Sequence, residues 1–301
     1  MTDPRRPPLP PLADALPGLP EDTQPGPATG LGLRIGVFDS GVGGLSVLQA
    51  IRSRLPHAEM IYAADTGHAP YGDRSEDHVC DRARRIAGFL HEQGAGLLVV
   101  ACNTATAAAV ATLRAQWPAL PIVGVEPGIK PAVALSRAGR IGVLATTATL
   151  ASEKFRRLAQ AHAGNAVLVL QACPGLATAI EAEDVDGAAL DALVARHAVP
   201  LRDAGVDVAV LGCTHYVFAR ERFERELPGV HLLDTGDAVA RQTARLAAGL
   251  AASASALAST SASTTPVVAR LCAYSSGEPG VLSRFARRWL GVDLHVQPMR
   301  A

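Results

Sequence analysis

Lysine is nearly absent from this chain, which contains only Lys130 and Lys154 among 301 residues. Enzymes that depend on pyridoxal phosphate hold the cofactor through a lysine Schiff base. Lys130 lies in a segment bracketed by prolines, and Lys154 lies beside charged residues on a helix face that is predicted to be exposed. Neither setting is typical of a Schiff-base lysine, so we expect chemistry that needs no pyridoxal phosphate.

Long apolar runs and an excess of either charge are also missing. The longest apolar runs have the length of a strand, so we expect no membrane segment. The formal net charge is zero, which gives no support for binding to nucleic acid or to an anionic membrane. The N-terminus is Pro-rich and polar rather than basic and then apolar, so we expect no signal peptide and a cytoplasmic protein.

Cysteine occurs five times, an odd number for a long chain without an export signal, which argues against a disulfide framework. No two cysteines are spaced as Cys-x-x-Cys, and no two histidines as His-x-x-x-His. The sequence therefore predicts no structural metal site. Cys80, Cys173 and Cys272 are interpreted as small buried hydrophobic residues, the usual role of an unpaired cysteine.

Residues 1–33 contain nine of the 21 prolines and show no hydrophobic periodicity. Such a segment cannot bury enough apolar surface to offset the entropy lost on ordering, so we expect a disordered tail. From residue 34 onward, apolar runs of strand length alternate with segments of helical character. This alternation predicts an α/β fold whose parallel strands are joined by right-handed crossovers.

The strand pattern repeats within the chain. The sequence Arg-Ile-Gly-Val at 34–37 recurs at 140–143, an offset of 106 residues. A second pair of similar strands leads to Cys102 and Cys213, an offset of 111 residues. Offsets this similar at two separate places indicate the duplication of an α/β unit.

Two domains of ordinary size follow from this repeat. The first domain is expected to comprise residues 34–125 and 235–301, and the second residues 126–234. We expect the two domains to be similar and pseudo-symmetric, each with a central parallel sheet, and the active site to lie at their interface. Residues 249–266 are rich in Ala, Ser and Thr and are predicted to form an exposed insertion, while residues 290–296 are predicted to form the last strand.

Two cysteines occupy matching positions at the ends of predicted buried strands. Cys102 follows the apolar run 97–100 and precedes an Ala-rich helix, and Cys213 follows the similar run 208–211. In open α/β sheets, ligands bind in the crevice at the carboxyl ends of the strands. Unpaired N–H groups at a helix start also suit an anion and lower the pKa of a nearby thiol. If the domains face each other, both thiols approach one ligand from opposite sides.

A pair of thiols on opposite faces of a carbon atom suits one reaction class above others. One thiolate removes a proton from a stereocentre, and the other thiol delivers a proton to the opposite face without a metal. A thiol with an ordinary pKa of about 8.5 is accessible in both protonation states, as a reversible racemisation requires. The α-proton of an amino acid is a much weaker acid, so hydrogen-bond donors must stabilise the developing negative charge.

Six segments, taken in order, resemble the signatures of the glutamate racemase family. They are Asp-Ser-Gly-Val-Gly-Gly at 39–44, Ala-Asp-Thr-Gly-His-Ala-Pro-Tyr-Gly at 64–72, Cys-Asn-Thr-Ala at 102–105, Val-Glu-Pro-Gly at 125–128, Cys-Pro-Gly-Leu at 173–176 with Glu181, and Leu-Gly-Cys-Thr-His-Tyr at 211–216. The resemblance implies a cofactor-independent enzyme that interconverts L- and D-glutamate for peptidoglycan precursors. It also implies two similar α/β domains with the site between them, and a homodimer.

Carried over position by position, the resemblance implies roles for twelve residues. Cys102 would act as the base for D-glutamate, and Cys213 would act as the base for L-glutamate. Asp39 matches the carboxylate beside the first thiol, while Glu181 and His215 match the groups that assist the second. The implied substrate contacts are Asp39, Ser40, Tyr71, Gly72, Asn103, Thr104, Thr146, Thr214 and His215. Because a carboxylate near Cys102 raises the pKa of that thiol, we expect Asp39 to accept a proton or to orient a group rather than to create a resting thiolate.

Other interpretations of these residues stay open. Asp39 can cap the helix that follows Gly41, and His215 can be a helix-start residue that bonds to backbone. The family usually has proline where this chain has Val217, a difference that we expect to affect local geometry more than chemistry.

Two alternative functions also stay open. One is the racemisation of aspartate or of another amino acid, and the other is a non-catalytic binding role such as inhibition of DNA gyrase. The presence of both Cys102 and Cys213 argues against a purely non-catalytic role and against a one-thiol decarboxylase.

Overall fold

The structure is a computed structural model that describes residues 33–182, 187–257 and 270–301. Strands and helices alternate along these residues, as the sequence predicts. The first elements are β1 (Arg34–Asp39), α1 (Leu45–Arg54), β2 (Glu59–Ala64), α2 (Glu76–Glu92), β3 (Leu97–Val100), α3 (Asn103–Gln116), β4 (Ile122–Gly124) and α4 (Ile129–Leu135). The later elements are β5 (Arg140–Ala145), α5 (Thr147–Ala151), α6 (Glu153–His162), β6 (Val167–Ala172), α7 (Leu176–Glu181), α8 (Gly187–Asp203), β7 (Val208–Leu211), α9 (Arg220–Glu226), β8 (His231–Leu233), α10 (Gly236–Leu257), β9 (Leu271–Ser275), α11 (Pro279–Leu290) and β10 (Val296–Pro298).

The strands form two parallel sheets with related topology. The larger sheet has the order β10-β9-β2-β1-β3-β4, and the smaller sheet has the order β6-β5-β7-β8. The segment β2-β1-β3-β4 therefore has the same strand order as the whole smaller sheet, with β5 in the place of β1 and β7 in the place of β3. This correspondence confirms the predicted fold class of two similar α/β units with central parallel sheets. We call the units of the larger and smaller sheets the first and second lobes.

A glycine at the same position in β1 and β5 allows close packing on each sheet. A Cβ atom on Gly36 would lie 2.9 Å from Leu98 Cδ2 and 3.2 Å from Leu90 Cβ, and a Cβ atom on Gly142 would lie 2.5 Å from Leu201 Cδ2. Leu90 lies on α2 and Leu201 lies on α8, so a helix covers the glycine in each lobe. The repeated Ile-Gly-Val sequence therefore has a packing reason as well as a common pattern.

The two strands that lead to the cysteines are fully buried. All four residues of β3 and all four of β7 are buried, as unbroken apolar sequences predict for strands covered on both faces. Within the described part of the chain, no helix is long and apolar enough to cross a membrane.

Three local predictions need adjustment or lie partly outside the described residues. The strand predicted at 290–296 is wrong, because Gly291 ends α11 with a φ of 66° and only Val296–Pro298 pairs with β9. Residues 249–257 of the predicted insertion continue α10, and the rest of that insertion lies outside the described residues. The predicted tail at 1–33 also lies outside them, except for Leu33.

Candidate active site

A cleft between the two lobes lies where several strands end. Its void is about 570 Å³, including the open solvent at its mouth, which is within the range of small-molecule sites. Ser40 follows β1, Cys102 follows β3, Thr146 follows β5 and Cys213 follows β7. Eleven of the twelve residues singled out from the sequence line this cleft: Ser40, Tyr71, Gly72, Cys102, Asn103, Thr104, Thr146, Glu181, Cys213, Thr214 and His215.

Cys102 is the N-cap residue of α3, and its thiol is almost completely buried. The Ala105 N–H donates to Cys102 Sγ at 3.5 Å, and the thiol donates to Ser40 Oγ at 3.5 Å. Burial, and after it the negative charge of Asp39, raises the pKa of Cys102 to about 12. The helix start does not compensate for these two effects. Cys102 is therefore a neutral thiol near pH 7, in a position to donate a proton.

Asp39 is the twelfth residue, and it does not line the cleft. Its side chain is completely buried, and its Oδ2 accepts hydrogen bonds from the N–H groups of Gly41 at 3.1 Å and Gly44 at 3.0 Å. Oδ1 has no hydrogen-bond partner among the described residues. Burial raises the pKa of Asp39 above its ordinary value. The contacts of Asp39 are thus those of a residue that organises the loop after β1.

Cys213 is the first of three polar side chains in the second lobe that contact one another in series. Cys213 Sγ lies 3.7 Å from His215 Nδ1, and His215 Nε2 lies 2.5 Å from Glu181 Oε1. Burial alone would lower the pKa of His215, but its hydrogen bonds to Cys213 and Glu181 raise that pKa well above its ordinary value. Burial likewise opposes ionisation of Glu181, yet the bond to His215 lowers the pKa of that carboxyl. The pair is therefore a carboxylate and an imidazolium next to Cys213 Sγ.

The local structure after Cys213 differs from that after Cys102. A 3-10 helix (Thr214–Ala219) follows Cys213, and α9 begins only after it. This turn contains Val217 and brings the His215 ring back towards the thiol two residues earlier. The two cysteines thus share a position at a strand end but not the same capping geometry.

Hydroxyl groups from both lobes also meet in the wall of the cleft. Thr104 Oγ1 lies 3.0 Å from Thr146 Oγ1, and Thr146 donates to Thr149 Oγ1 at 2.8 Å. Asn103 Nδ2, also in this cleft, is buried without a hydrogen-bond partner among the described residues. Gly72 lies so close to Thr146 that a Cβ atom added to Gly72 would lie 3.1 Å from Thr146 Cβ. This wall offers neutral donors suited to a carboxylate.

Tyr71 is held by a buried ion pair that the sequence analysis did not identify. The Tyr71 hydroxyl donates to Asp65 Oδ2 at 2.5 Å, and Arg82 donates to both oxygens of Asp65 at 2.9 and 2.8 Å. All three side chains are buried. Asp65 follows β2 and Arg82 lies on α2, so the pair fixes the loop that contributes Tyr71 and Gly72 to the cleft.

A third cysteine also lines the cleft. Cys173 follows β6, at a strand end like Cys102 and Cys213, and burial raises its pKa to about 12. The position of Cys173 after a predicted strand is the feature of the sequence that could have indicated its place in the cleft. In the part of the chain that the structure describes, no group of three or more His, Cys, Asp or Glu side chains is arranged to hold a metal ion.

The chain matches one protein family and several curated relatives. A model described as Asp/Glu/hydantoin racemase matches residues 45–243. The glutamate racemase of Pseudomonas entomophila (strain L48) is 53% identical over 212 residues, which are 70% of this chain and 80% of that protein. The glutamate racemase of Pseudomonas aeruginosa (strain PAO1) is 50% identical over the same length and shares of each chain.

Solved structures resemble the fold over most of its length. Glutamate racemase isoform RacE1 from Bacillus anthracis has a TM-score of 0.78 and 30% identity, and the match covers 89% of this chain and 97% of that one. The Escherichia coli glutamate racemase in complex with L-glutamate and the activator UDP-MurNAc-ala has a TM-score of 0.74 and 31% identity, with 89% and 98% covered. The Francisella tularensis glutamate racemase in complex with D-glutamate has a TM-score of 0.75 and 25% identity, with 89% and 97% covered.

Proposed function

This chain belongs to the glutamate racemase family, and from that membership we propose that its interlobe cleft interconverts L- and D-glutamate without a cofactor. The observation that carries the proposal is the presence of Cys102 and Cys213 in the wall of one cleft, each at the end of a corresponding strand. The product supplied would be D-glutamate for peptidoglycan precursors.

The proposed reaction moves one proton onto one sulfur and another proton off the other. From L-glutamate, the Cys213 thiolate removes the α-proton, and the electron pair of the broken C–H bond stays on the substrate. The Cys102 thiol then donates its proton to the opposite face, and D-glutamate results. The raised pKa of Cys102 keeps this donor protonated, and an imidazolium at His215 stabilises negative charge on Cys213. The protonated Cys102 thiol thus suits the direction from L to D, in which Cys102 is the proton donor.

We propose that neutral donors, rather than cations, hold the substrate. Thr104, Thr146 and the unpartnered Asn103 amide lie in the cleft wall, and the N-terminus of α3 adds unpaired N–H groups. Neither lysine of the chain is among the residues that line the cleft. Hydrogen bonds from hydroxyl, amide and backbone groups to a carboxylate are charge-assisted, and they favour an anionic ligand without neutralising the thiolate.

An exchange experiment tests the proposed substrate. In deuterated water, the protein is expected to replace the α-proton of glutamate with deuterium while the optical activity of either enantiomer decays to zero. Proton NMR of the α-position and circular dichroism of the same sample measure the two events. Aspartate in a parallel sample is expected to remain unlabelled. Exchange of aspartate without exchange of glutamate would show that the substrate assignment is wrong.

Replacement of Glu181 with Gln is expected to move the alkaline limit of activity to lower pH. The carboxylate helps to raise the pKa of His215, so its loss lowers that pKa and the imidazolium is lost earlier as the pH rises. The measurement is kcat/KM for L-glutamate against pH. Glu153→Gln, an exposed position on α6, is the matched control and should leave the profile unchanged. An unmoved alkaline limit in Glu181→Gln would contradict this role.

We also propose that the protein is a cytoplasmic homodimer. The family resemblance supports the homodimer, and the absence of a signal-peptide pattern at the N-terminus supports the cytoplasmic location. Exposed apolar side chains at Leu135, Val167 and Leu170, all in the second lobe, are available for an interface between two copies.

A further inference from the structure

Residues 40–44, which we call the glycine loop, connect β1 to α1 and lie at the boundary between the lobes. Asp39 of the first lobe fixes the loop, because its Oδ2 accepts hydrogen bonds from the N–H groups of Gly41 and Gly44. The Tyr62 hydroxyl donates to the Gly41 carbonyl at 3.3 Å. Both side chains that hold the loop are completely buried. The conformation of the loop is therefore set by the core of the first lobe.

The same loop and the residues after it contact the second lobe. The Val42 N–H donates to Glu181 Oε1 at 3.1 Å, the same oxygen that lies 2.5 Å from His215 Nε2. Immediately after the loop, the Ser46 hydroxyl donates to the Thr214 carbonyl at 3.2 Å. The polar group that orients His215 is thus held by a backbone donor from the other lobe.

The contact requires glycine at two positions. A Cβ atom on Gly41 would lie 2.0 Å from Glu181 Oε1, and a Cβ atom on Gly43 would lie 2.2 Å from His215 Nδ1. Neither distance is possible between atoms that are not bonded, so any side chain here displaces the carboxylate or the ring. Both φ angles lie outside the left-handed region, so backbone strain is not the reason for glycine at these sites.

We propose that the glycine loop of the first lobe positions Glu181 and His215 of the second lobe, and through them the Cys213 thiol. Gly41, Val42 and Gly43 are positioning residues, since the loop acts on the reaction through the side chains it contacts. The first lobe thereby contributes to both halves of the reaction, with Cys102 directly and with the chemistry at Cys213 through this loop. This inference rests on the proposed two-thiol reaction.

Gly43→Ala tests the inference through an asymmetry between enantiomers. The added methyl group displaces the His215 ring from its position beside Cys213, so kcat is expected to fall about 10- to 100-fold with little change in KM. The primary isotope effect with α-deuterated L-glutamate should rise, because proton removal by Cys213 becomes slower. The effect with α-deuterated D-glutamate should fall, because proton donation by Cys213 then limits the rate after Cys102 has removed the label.

Two further comparisons separate positioning from general damage. In the double variant Gly43→Ala with His215→Asn, the glycine substitution should add no further loss to that of His215→Asn alone. Gly88→Ala is the matched control, because its new methyl group meets no atom within 4 Å and should leave activity unchanged. If Gly43→Ala does not fold, Gly41→Ala carries the same test, since it displaces only the end of the Glu181 side chain.

A measurement without substrate keeps this inference distinguishable from the proposed function. The NMR resonances of the His215 ring should shift in Gly43→Ala and stay in place in Gly88→Ala, whether or not glutamate proves to be the substrate. Equal isotope effects for the two enantiomers, independent losses in the double variant, or unshifted His215 resonances would each overturn the inference. Absence of glutamate exchange by the unmodified protein would instead count against the proposed function.

Discussion

Replacement of either Cys102 or Cys213 with Ser is expected to reduce racemisation about 10³-fold or more, while the fold is retained. A serine hydroxyl has nearly the size of the thiol, but it is a much weaker acid and is not ionised near neutral pH. Each variant therefore loses the group that exchanges a proton on one face of the substrate. A loss of this size is within the range of general acid–base catalysis.

The two variants should differ in the exchange that remains. With Cys213 intact, Cys102→Ser can still remove and return the α-proton of L-glutamate, so we expect slow deuterium exchange of that enantiomer without inversion. Cys213→Ser should show the same for D-glutamate. Cys272→Ser, in β9 and outside the cleft, is the control with full activity. Unchanged turnover in either cleft variant would exclude a mechanism with two thiols.

The fold was predictable from the sequence because its signals are local. Strand β3 is an unbroken apolar run, and the Ile-Gly-Val repeat in β1 and β5 marks the same packing position in both lobes. Two matching offsets along the chain were enough to predict two similar units. The position of Cys102 and Cys213 at strand ends then followed, since parallel strands present their carboxyl ends at one edge of a sheet.

Other features depend on contacts between residues that are far apart in the chain. Glu181 and the Val42 N–H are 139 residues apart, and no local pattern indicates that they meet. The last strand was misplaced because apolar residues alternate along Leu290–Val296 in a way that suits a strand, whereas α11 ends at Leu290, Gly291 caps it, and pairing with β9 begins only at Val296. The burial of Asp39 beneath the glycine loop, outside the cleft wall, likewise depends on how the loop folds back on β1.

Replacement of Arg82 with Met is expected to lower the free energy of unfolding by about 3–5 kcal/mol at neutral pH. Arg82 and Asp65 are both buried, and the methionine would leave the Asp65 carboxylate without its cation. Burial opposes ionisation of Asp65, but the hydrogen bonds from Arg82 and its other partners lower the pKa of that carboxyl in the folded protein. A lowered pKa stabilises the fold above the pKa of the unfolded chain, and this stabilisation is lost as the pH falls.

The dependence of the free energy of unfolding on pH tests the role of the Arg82–Asp65 pair. Because Asp65 in Arg82→Met has lost its cation, its pKa should rise, and the destabilisation seen in urea titrations should shrink at acidic pH as Asp65 binds a proton. The double variant Arg82→Met with Asp65→Asn should regain most of the lost stability, because no uncompensated charge remains. Arg85→Met breaks an exposed pair with Asp81 on the same helix and should cost no more than about 0.5 kcal/mol. If Arg82→Met proved as stable as Arg85→Met, the prediction that the buried Arg82–Asp65 pair stabilises the fold would be wrong.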